Sequence, residues 1–410
     1  MLKLRSVVVL LVLFLNPSLI LSLKNGLALT PPMGWSTWNV FRCDYTERDL
    51  MEIADLLVSS GMSQVGYEYL NIDDCWEDLQ RDPLTKMLKF NETKFPNGIS
   101  SLADYVHSKG LKLGLYTSSG ERTCQNYPGS WEHEYVDAQL FSSWKIDFLK
   151  VDCCYQNRIE DRIRAYTNWS QALLQQNRSI IFSCDTDELI LNENNFEFPF
   201  EWAPEYCHMA RIYWDIYDQW EQTLNILDHA ANIYFASRPG YWNDLDILTV
   251  GLGQQTLQEY ISQFSLWSLL SSPLIAGNDL RQMNQSILNI LTNKEVIAIN
   301  QDRLGRSGNM IQRAMDGSYE IWAKALFHEN NCSYHAVVLF NRSNQPTNIT
   351  LQFQALFDNA LSPHPPSPIW SVNIRDLWLH QDQGTFTHNW TSINVQPHGV
   401  TMITVLLQTN

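Results

Sequence analysis

A carboxylate preceded by a cation two residues earlier stands in Phe148-Leu-Lys-Val-Asp-Cys-Cys154. The run reads as a short buried strand, Ile146 to Val151, that delivers Asp152 to its C-terminal end as the backbone turns into a loop. Side chains alternate along a strand, so Lys150 and Asp152 share a face. Such a cation favours the ionised carboxylate and lowers its pKa, which suits a nucleophile more than a proton donor. Taken alone, the pair is more often a structural salt bridge. A second acid, Asp215, lies in Arg211-Ile-Tyr-Trp-Asp-Ile-Tyr-Asp-Gln-Trp220 among four aromatic residues. Desolvation by such neighbours raises a carboxyl pKa toward that of a proton donor. A helix N-cap is the competing role there, and Asp218 fits it equally well.

What the two acids could do together depends on the elements that carry them. After Asn25 a pattern recurs: an apolar run ends in a polar residue, a loop follows, then an amphipathic helix. The run ends are Trp35, Asp74, Thr117, Asp152, Asp185, Asp215, Asp244 and Asn278, and from Asp74 onward they are 43, 35, 33, 30, 29 and 34 residues apart. One strand-helix unit needs roughly 30 residues, so eight such units predict a closed (β/α)8 TIM barrel in the α/β class. A doubly wound open sheet would give the same alternation. Between the runs, Thr46 to Ser60 reads as a helix with a Thr46/Asp49 capping box and Gly61 at its end, and Ser101 to Lys109 ends at Gly110 in the same way. Leu111 to Tyr116 and the run from Ser179 read as strands buried in a parallel sheet. A helix is expected over Ile287 to Ile299. From Gly308 onward short alternating segments, among them Tyr319 to Ala323, His335 to Asn341 and Val400 to Leu407, predict an antiparallel β-sandwich, with Ser362 to Pro368 as a surface loop. The expected organisation is a signal peptide over 1–22, the barrel over 23–303 and the antiparallel β domain over 304–410.

Active sites of such barrels lie at the C-terminal ends of the strands. The predicted rim therefore gathers Asp73, Asp74, Asp152, Asp185, Asp215 and Asp244 with Lys150 and Arg211, and Trp35, Trp38 and Tyr116 as apolar walls. Many carboxylates around one rim suit either a divalent metal or sugar hydroxyls. A metal site would more often include histidine, and His208 is the one histidine near a run end, so a sugar is favoured and no metal or other cofactor is expected. Two carboxylates from different strands, one ionised and one protonated, are what glycoside hydrolysis needs.

Composition sets the surroundings. The chain has 410 residues and a net charge of -16, which argues against nucleic acid or anionic membrane as a partner. Lys3, Arg5 and the apolar run Val7 to Leu15 before Pro17 fit a secretory signal peptide, and no later segment is apolar for long enough to span a membrane. Eight cysteines then read as disulfide-formers, and Asn91, Asn168, Asn177, Asn284, Asn331, Asn341, Asn348 and Asn389 head glycosylation sequons. The expected location is the secretory pathway, ending in the lysosome or outside the cell.

Several longer stretches carry a resemblance. Pro32-Met-Gly-Trp-Ser-Thr-Trp-Asn39, Tyr67-Glu-Tyr-Leu-Asn-Ile-Asp-Asp-Cys-Trp76, Val106-His-Ser-Lys-Gly-Leu-Lys-Leu-Gly-Leu-Tyr116, Leu149-Lys-Val-Asp-Cys-Cys154, Pro239-Gly-Tyr-Trp-Asn-Asp-Leu-Asp246 and Val296-Ile-Ala-Ile-Asn-Gln-Asp302 resemble glycoside hydrolase family 27, which holds α-galactosidases and α-N-acetylgalactosaminidases. The resemblance implies a retaining enzyme acting on a terminal α-galactoside, with Asp152 as nucleophile and Asp215 as general acid/base. It places Asp73 and Asp74 on the sugar O4 and O6 hydroxyls, Lys150 on O3 and O4, Arg211 on the 2-substituent and the nucleophile side, and Trp38 and Tyr116 against the ring. It also implies the disulfides Cys43–Cys75, Cys124–Cys154 and Cys184–Cys207, each linking loops on the rim, with Cys153 and Cys332 left over. A homodimer is common in the family, though no stretch here shows an interface. The chain departs from the pattern at Cys184-Asp-Thr-Asp-Glu-Leu, where the family reads the sugar 2-position, and at Cys153, where Gly or Asn is usual. Leu245 stands where the family has Pro. Asp185 or a neighbour is expected against a 2-hydroxyl, and the crowded acidic aromatic loop that runs on to Tyr206 speaks against the small-residue pocket an N-acetyl group would need. β-L-arabinopyranosides share the ring stereochemistry, and a galactose-binding protein without catalysis is the reading from another class.

Overall fold

The computed structural model describes residues 25–156, 158–186, 199–329, 333–358 and 371–408. The signal-peptide segment, the sequon at Asn331, Cys332 and the Pro-rich stretch fall outside the described residues. Eight strands carry the first part of the chain: β1 Met33–Ser36, β2 Tyr69–Asn71, β3 Lys112–Ser118, β4 Phe148–Asp152, β5 Ile181–Cys184, β6 Met209–Arg211, β7 Trp242–Asp244 and β8 Leu274–Ala276. They pair in parallel in the order β7-β6-β5-β4-β3-β2-β1-β8. The ring closes just beyond β7, where the Leu248 amide donates to the Ile275 carbonyl (2.7 Å). Sequential pairing with closure excludes the open doubly wound sheet, whose strand order reverses at a switch point.

Alternation along each strand sorts the barrel interior by height. Phe148 and Lys150 of β4 line one interior cavity with Met209 and Arg211 of β6 and Asp244 of β7. The lower layer is apolar: Tyr69, Phe148, Ile181, Met209 and Trp242 pack together, with Leu27 and Ala28 against them. The next layer up is charged. Gly114 on β3 makes room between the two, since a Cβ there would lie 2.0 Å from Asn71 Oδ1 and 3.1 Å from Phe148 Cβ.

The connecting helices follow the periodicity of the sequence. Helix α1 (Glu47–Ser59) buries Leu50, Ile53, Ala54 and Leu57 and starts with the Thr46/Asp49 capping box. Helix α2 (Ile99–Ser108) begins two residues earlier than expected because Ile99 joins its buried face. α3 (Glu134–Ser143), α4 (Ile159–Leu174), α5 (Pro199–Tyr206), α6 (Trp220–Ile233) and α7 (Leu257–Leu269) complete the outer layer. The single helix expected over Ile287 to Ile299 is two, α8 (Gln285–Leu291) and α9 (Lys294–Asn300). Asn293 divides them: its side chain accepts from the Glu295 and Val296 amides and starts a new helix where the apolar spacing alone suggests continuity.

The C-terminal part is an antiparallel sandwich. β9 (Asn309–Arg313), β10 (Tyr319–Ala325), β11 (Tyr334–Asn341), β12 (Thr347–Gln352), β13 (Ser371–Asp376), β14 (Gln381–Phe386), β15 (Asn389–Val395) and β16 (Val400–Gln408) form a six-stranded sheet, β14-β13-β16-β11-β10-β9, and a ribbon of β12 and β15. Ile321, Val337, Leu339 and Ile403 of the large sheet meet Ile349, Leu351 and Val395 of the ribbon. The other face of the large sheet continues the barrel core through Trp322, Val338, Phe340 and Met402. Helix α7 lies between the two parts and is buried nearly all round, which explains why it lacks a strong polar face. Among the described residues no helix is long and apolar enough to cross a membrane.

Candidate active site

The carboxylates named from the sequence converge at the C-terminal end of the barrel. Beyond β2, the Asp73 carboxylate meets the Lys150 ammonium from β4 at 3.0 Å. Tyr45 fixes this corner by donating to the carbonyls of Asp73 (3.2 Å) and Asp74 (2.9 Å). Asp73 faces the interior cavity with Ser36, Lys150, Arg211, Asp244 and Asp246. Asp74 is fully buried, and its two oxygens accept the amides of Cys75 (2.7 Å) and Gln125 (2.9 Å). Burial, with the charge of Asp73, pushes the Asp74 pKa up to about 6.

Asp152 closes β4. Its Oδ2 accepts the Tyr116 hydroxyl (2.9 Å) and its Oδ1 the Cys153 amide (2.7 Å). The Tyr116 ring lies beneath the Lys150 ammonium, 5.2 Å from its centroid. Across the rim, the Arg211 guanidinium gathers three acids: Asp215 (3.0 Å), Asp246 (3.1 Å) and Asp185 (3.4 Å). Trp38 stands just past β1 with the Arg42 guanidinium 4.9 Å over its ring, and that same charge bears on Asp215. Asp152 and Asp215 are linked through shared neighbours: the Asp152 and Asp185 carboxylates lie within 4.8 Å of one another, and Arg211 joins Asp185 to Asp215.

The proton distribution differs from the expectation drawn from residue types. Burial first, then the charge of Asp185, raises the Asp152 pKa to about 7 against the opposing pull of Lys150 and the Cys153 amide. Lys150 is hydrogen-bonded to Asp73 instead. Asp215 moves the other way: burial alone would raise its pKa, but Arg211, Lys150 and Arg42 together bring it below the usual carboxylate range. The expected rise is not realised: the side chain is 53% exposed, and the three cations outweigh the desolvation that it does suffer. Nor is it a helix cap. Asp218 is buried, accepting from the Gln254 amide (2.6 Å) and Tyr260, and α6 has Gln219 at its N-cap without a side-chain cap.

Trp35 is another correction. It is fully buried, packs on Phe41 and donates to the Asn278 carbonyl, so it supports the rim without forming a wall of the site. Asp244 closes β7, where its carboxylate accepts the Asp246 amide (2.9 Å) and burial raises its pKa to about 6. Asp246 is the residue that reading by run ends missed. It pairs with Arg211, accepts the Ile216 amide (2.8 Å) and has a left-handed φ of 77°. The signal was present in Asn243-Asp-Leu-Asp, because alternation carries Asp244 and Asp246 toward the same side.

Three disulfides hold this end together: Cys43–Cys75, Cys124–Cys154 and Cys184–Cys207. The first two tie loops of the rim. The third joins the end of β5 to the segment entering β6, a step below the rim, because Cys184 pairs in register with Ala210 and Cys207 precedes that residue by three. Cys153 is buried and lies outside these bridges. Its sulfur and the carboxylates of Asp152 and Asp185 come within 4.8 Å of one another, but Lys150 and Arg211 already supply positive charge there.

Acids presented from the ends of separate strands, paired with a lysine and an arginine at one end of the barrel, suit hydroxyl-rich ligands, and with this barrel and sandwich they define a glycoside hydrolase. Within that class the chain belongs to glycoside hydrolase family 27: residues 30–302 match the family described as Alpha galactosidase A, and residues 316–405 the Alpha galactosidase C-terminal beta sandwich domain. Alpha-galactosidase 2 of Arabidopsis thaliana is 42% identical over 93% of this chain and 91% of its own length. A probable alpha-galactosidase of Dictyostelium discoideum is 41% identical, covering 94% of each. The crystal structure of alpha-galactosidase I from Mortierella vinacea superposes with a TM-score of 0.86 at 32% identity, covering 93% of this chain and 98% of that one.

Proposed function

We propose that this enzyme removes terminal α-linked galactose from oligosaccharides or glycoconjugates with retention of configuration, through a covalent galactosyl–Asp152 intermediate. Asp215 protonates the leaving oxygen and then draws a proton from the attacking water. The observation that carries the reading is the link from Asp152 through Asp185 and Arg211 to Asp215, flanked by the Asp73–Lys150 pair. In this reading Asp73 and Asp74 take O4 and O6, Lys150 takes O3 and O4, Trp38 and Tyr116 bound the ring, and Asp185 with Arg211 faces the 2-hydroxyl. Asp244 acts through the Asp246 loop, which it braces. The Tyr116 hydroxyl and the Cys153 amide favour the ionised Asp152 that attack requires.

Burial and Asp185 raise the pKa of Asp152, whereas Arg211, Lys150 and Arg42 lower that of Asp215, so Asp185 and Arg211 govern the charge of this pair. The three disulfides support passage through an oxidising compartment, with the lysosome or the extracellular space as destination.

A panel of nitrophenyl glycosides differing at C2 and C4 tests the assignment. Release from the α-galactoside, with the 2-acetamido and C4-epimeric analogues slower by at least about tenfold, is expected. Galactose binding without release from any of them would identify a lectin instead.

A further inference from the structure

The aromatic residues around Asp215 separate into two pairs. Tyr213 tilts against His229, with ring centroids 5.4 Å apart, and Trp220 stacks on His398 at 5.2 Å at the junction with the sandwich. Trp214 and Tyr217 remain 51% and 55% exposed, and among the described residues no ring contact or side-chain hydrogen bond holds either. A loose loop does not account for this. Ile212 and Ile216 are buried, and Arg211 donates to the Tyr213 carbonyl (3.0 Å). Gln222 donates to the Asp215 carbonyl (2.9 Å), and Asp246 holds the Ile216 amide (2.8 Å). Two large rings are thus presented to solvent by a pinned backbone on either side of an acid.

We propose that Trp214 and Tyr217 form the platform for the first sugar ring of the leaving group. The inference rests on Asp215 as general acid. A proton donor must come within roughly 2.6–3.2 Å of the leaving oxygen, so the atoms beyond that oxygen emerge where the half-exposed Asp215 opens to solvent, over residues 214–217. Aromatic faces there cover the C–H face of a sugar while its hydroxyls stay in water. Arg42, 4.9 Å over the Trp38 ring, also bears on Asp215. A neutral carbohydrate fits better than an anionic or lipid aglycone. The chain's net charge of -16 repels anions, and two separate rings do not make a continuous apolar groove.

Wild type, Trp214→Ala, Tyr217→Ala, the double variant and Trp214→Phe are compared on α-galactosyl fluoride, whose leaving group is one atom, and on an α-galactosyl disaccharide. The expected result is a loss of about tenfold in kcat/KM on the disaccharide for the double variant, carried mostly by KM and partly retained in Trp214→Phe, with fluoride release changed by less than about twofold. Equal losses on both substrates would show a merely structural role and overturn the platform, as would unchanged rates on both. No release from either substrate by wild type would overturn the galactosidase reading, and the platform with it.

Discussion

Charge on Asp152 is set by a contest between burial and Asp185 on one side and Lys150, Tyr116 and the Cys153 amide on the other. Removing that charge without changing shape, Asp152→Asn, lowers turnover of α-galactosyl fluoride by at least about three orders of magnitude with the circular dichroism unchanged. Stability responds oppositely. The folded-state pKa of Asp152 is raised from 3.8 to about 7, so the unfolded chain gives up this proton first, and the residue costs stability progressively as pH climbs through that window. Asp152→Asn is therefore expected to raise the melting temperature over wild type at pH 7.5 and to leave it unchanged at pH 3.5; equal shifts at both would refute the assignment. Activity follows the pair. The last shared proton leaves near pH 7, so kcat/KM falls as pH rises through about 7 and falls again below the usual carboxylate range. A maximum above pH 8 would contradict this. Residue types announced which acids gather here but not where their protons sit. That depends on which acid Arg211 reaches, and Arg211 reaches Asp215 and the unsuspected Asp246.

The strands were legible because a parallel strand buried on both faces reads as an apolar run ended by a polar residue, and β4 and β7 do end at Asp152 and Asp244, whereas β2 stops at Asn71 and β6 at Arg211, short of the expected Asp74 and Asp215. The division between α8 and α9 was not, because one capping side chain outweighed an unbroken apolar spacing. Contacts between neighbouring strands were also invisible, and Gly114 is the sharpest case. Gly114→Ala would drive a methyl into Asn71, 2.0 Å from its Oδ1, and is expected to cost about 1–3 kcal/mol in chemical denaturation. Adding Asn71→Ala should recover part of that loss, since the two sites share one space. No recovery would mean that β3 yields in some other direction.

Barrel and sandwich share a continuous core, with α7 between them and Trp322, Val338, Phe340 and Met402 set against it. Arg342 from the sandwich bonds Asp228 of α6 at 2.6 Å across the same junction and is held on its own side by Glu320 of β10 at 2.8 Å. A chain ending at residue 303 would expose this surface. We expect it to be recovered as aggregate or with a melting temperature well below that of the intact protein; a soluble monomer of undiminished stability would show that the barrel needs no cover.

The bridges described above have a chemical consequence of their own. Each places one sulfur within two residues of an acid: Cys75 beside Asp74, Cys154 after Asp152 and Cys184 before Asp185. The hydrogen-bonded ring of strands does not depend on them. Breaking the two rim bridges would therefore disarm this enzyme before it melts the scaffold, and re-forming them would rearm it.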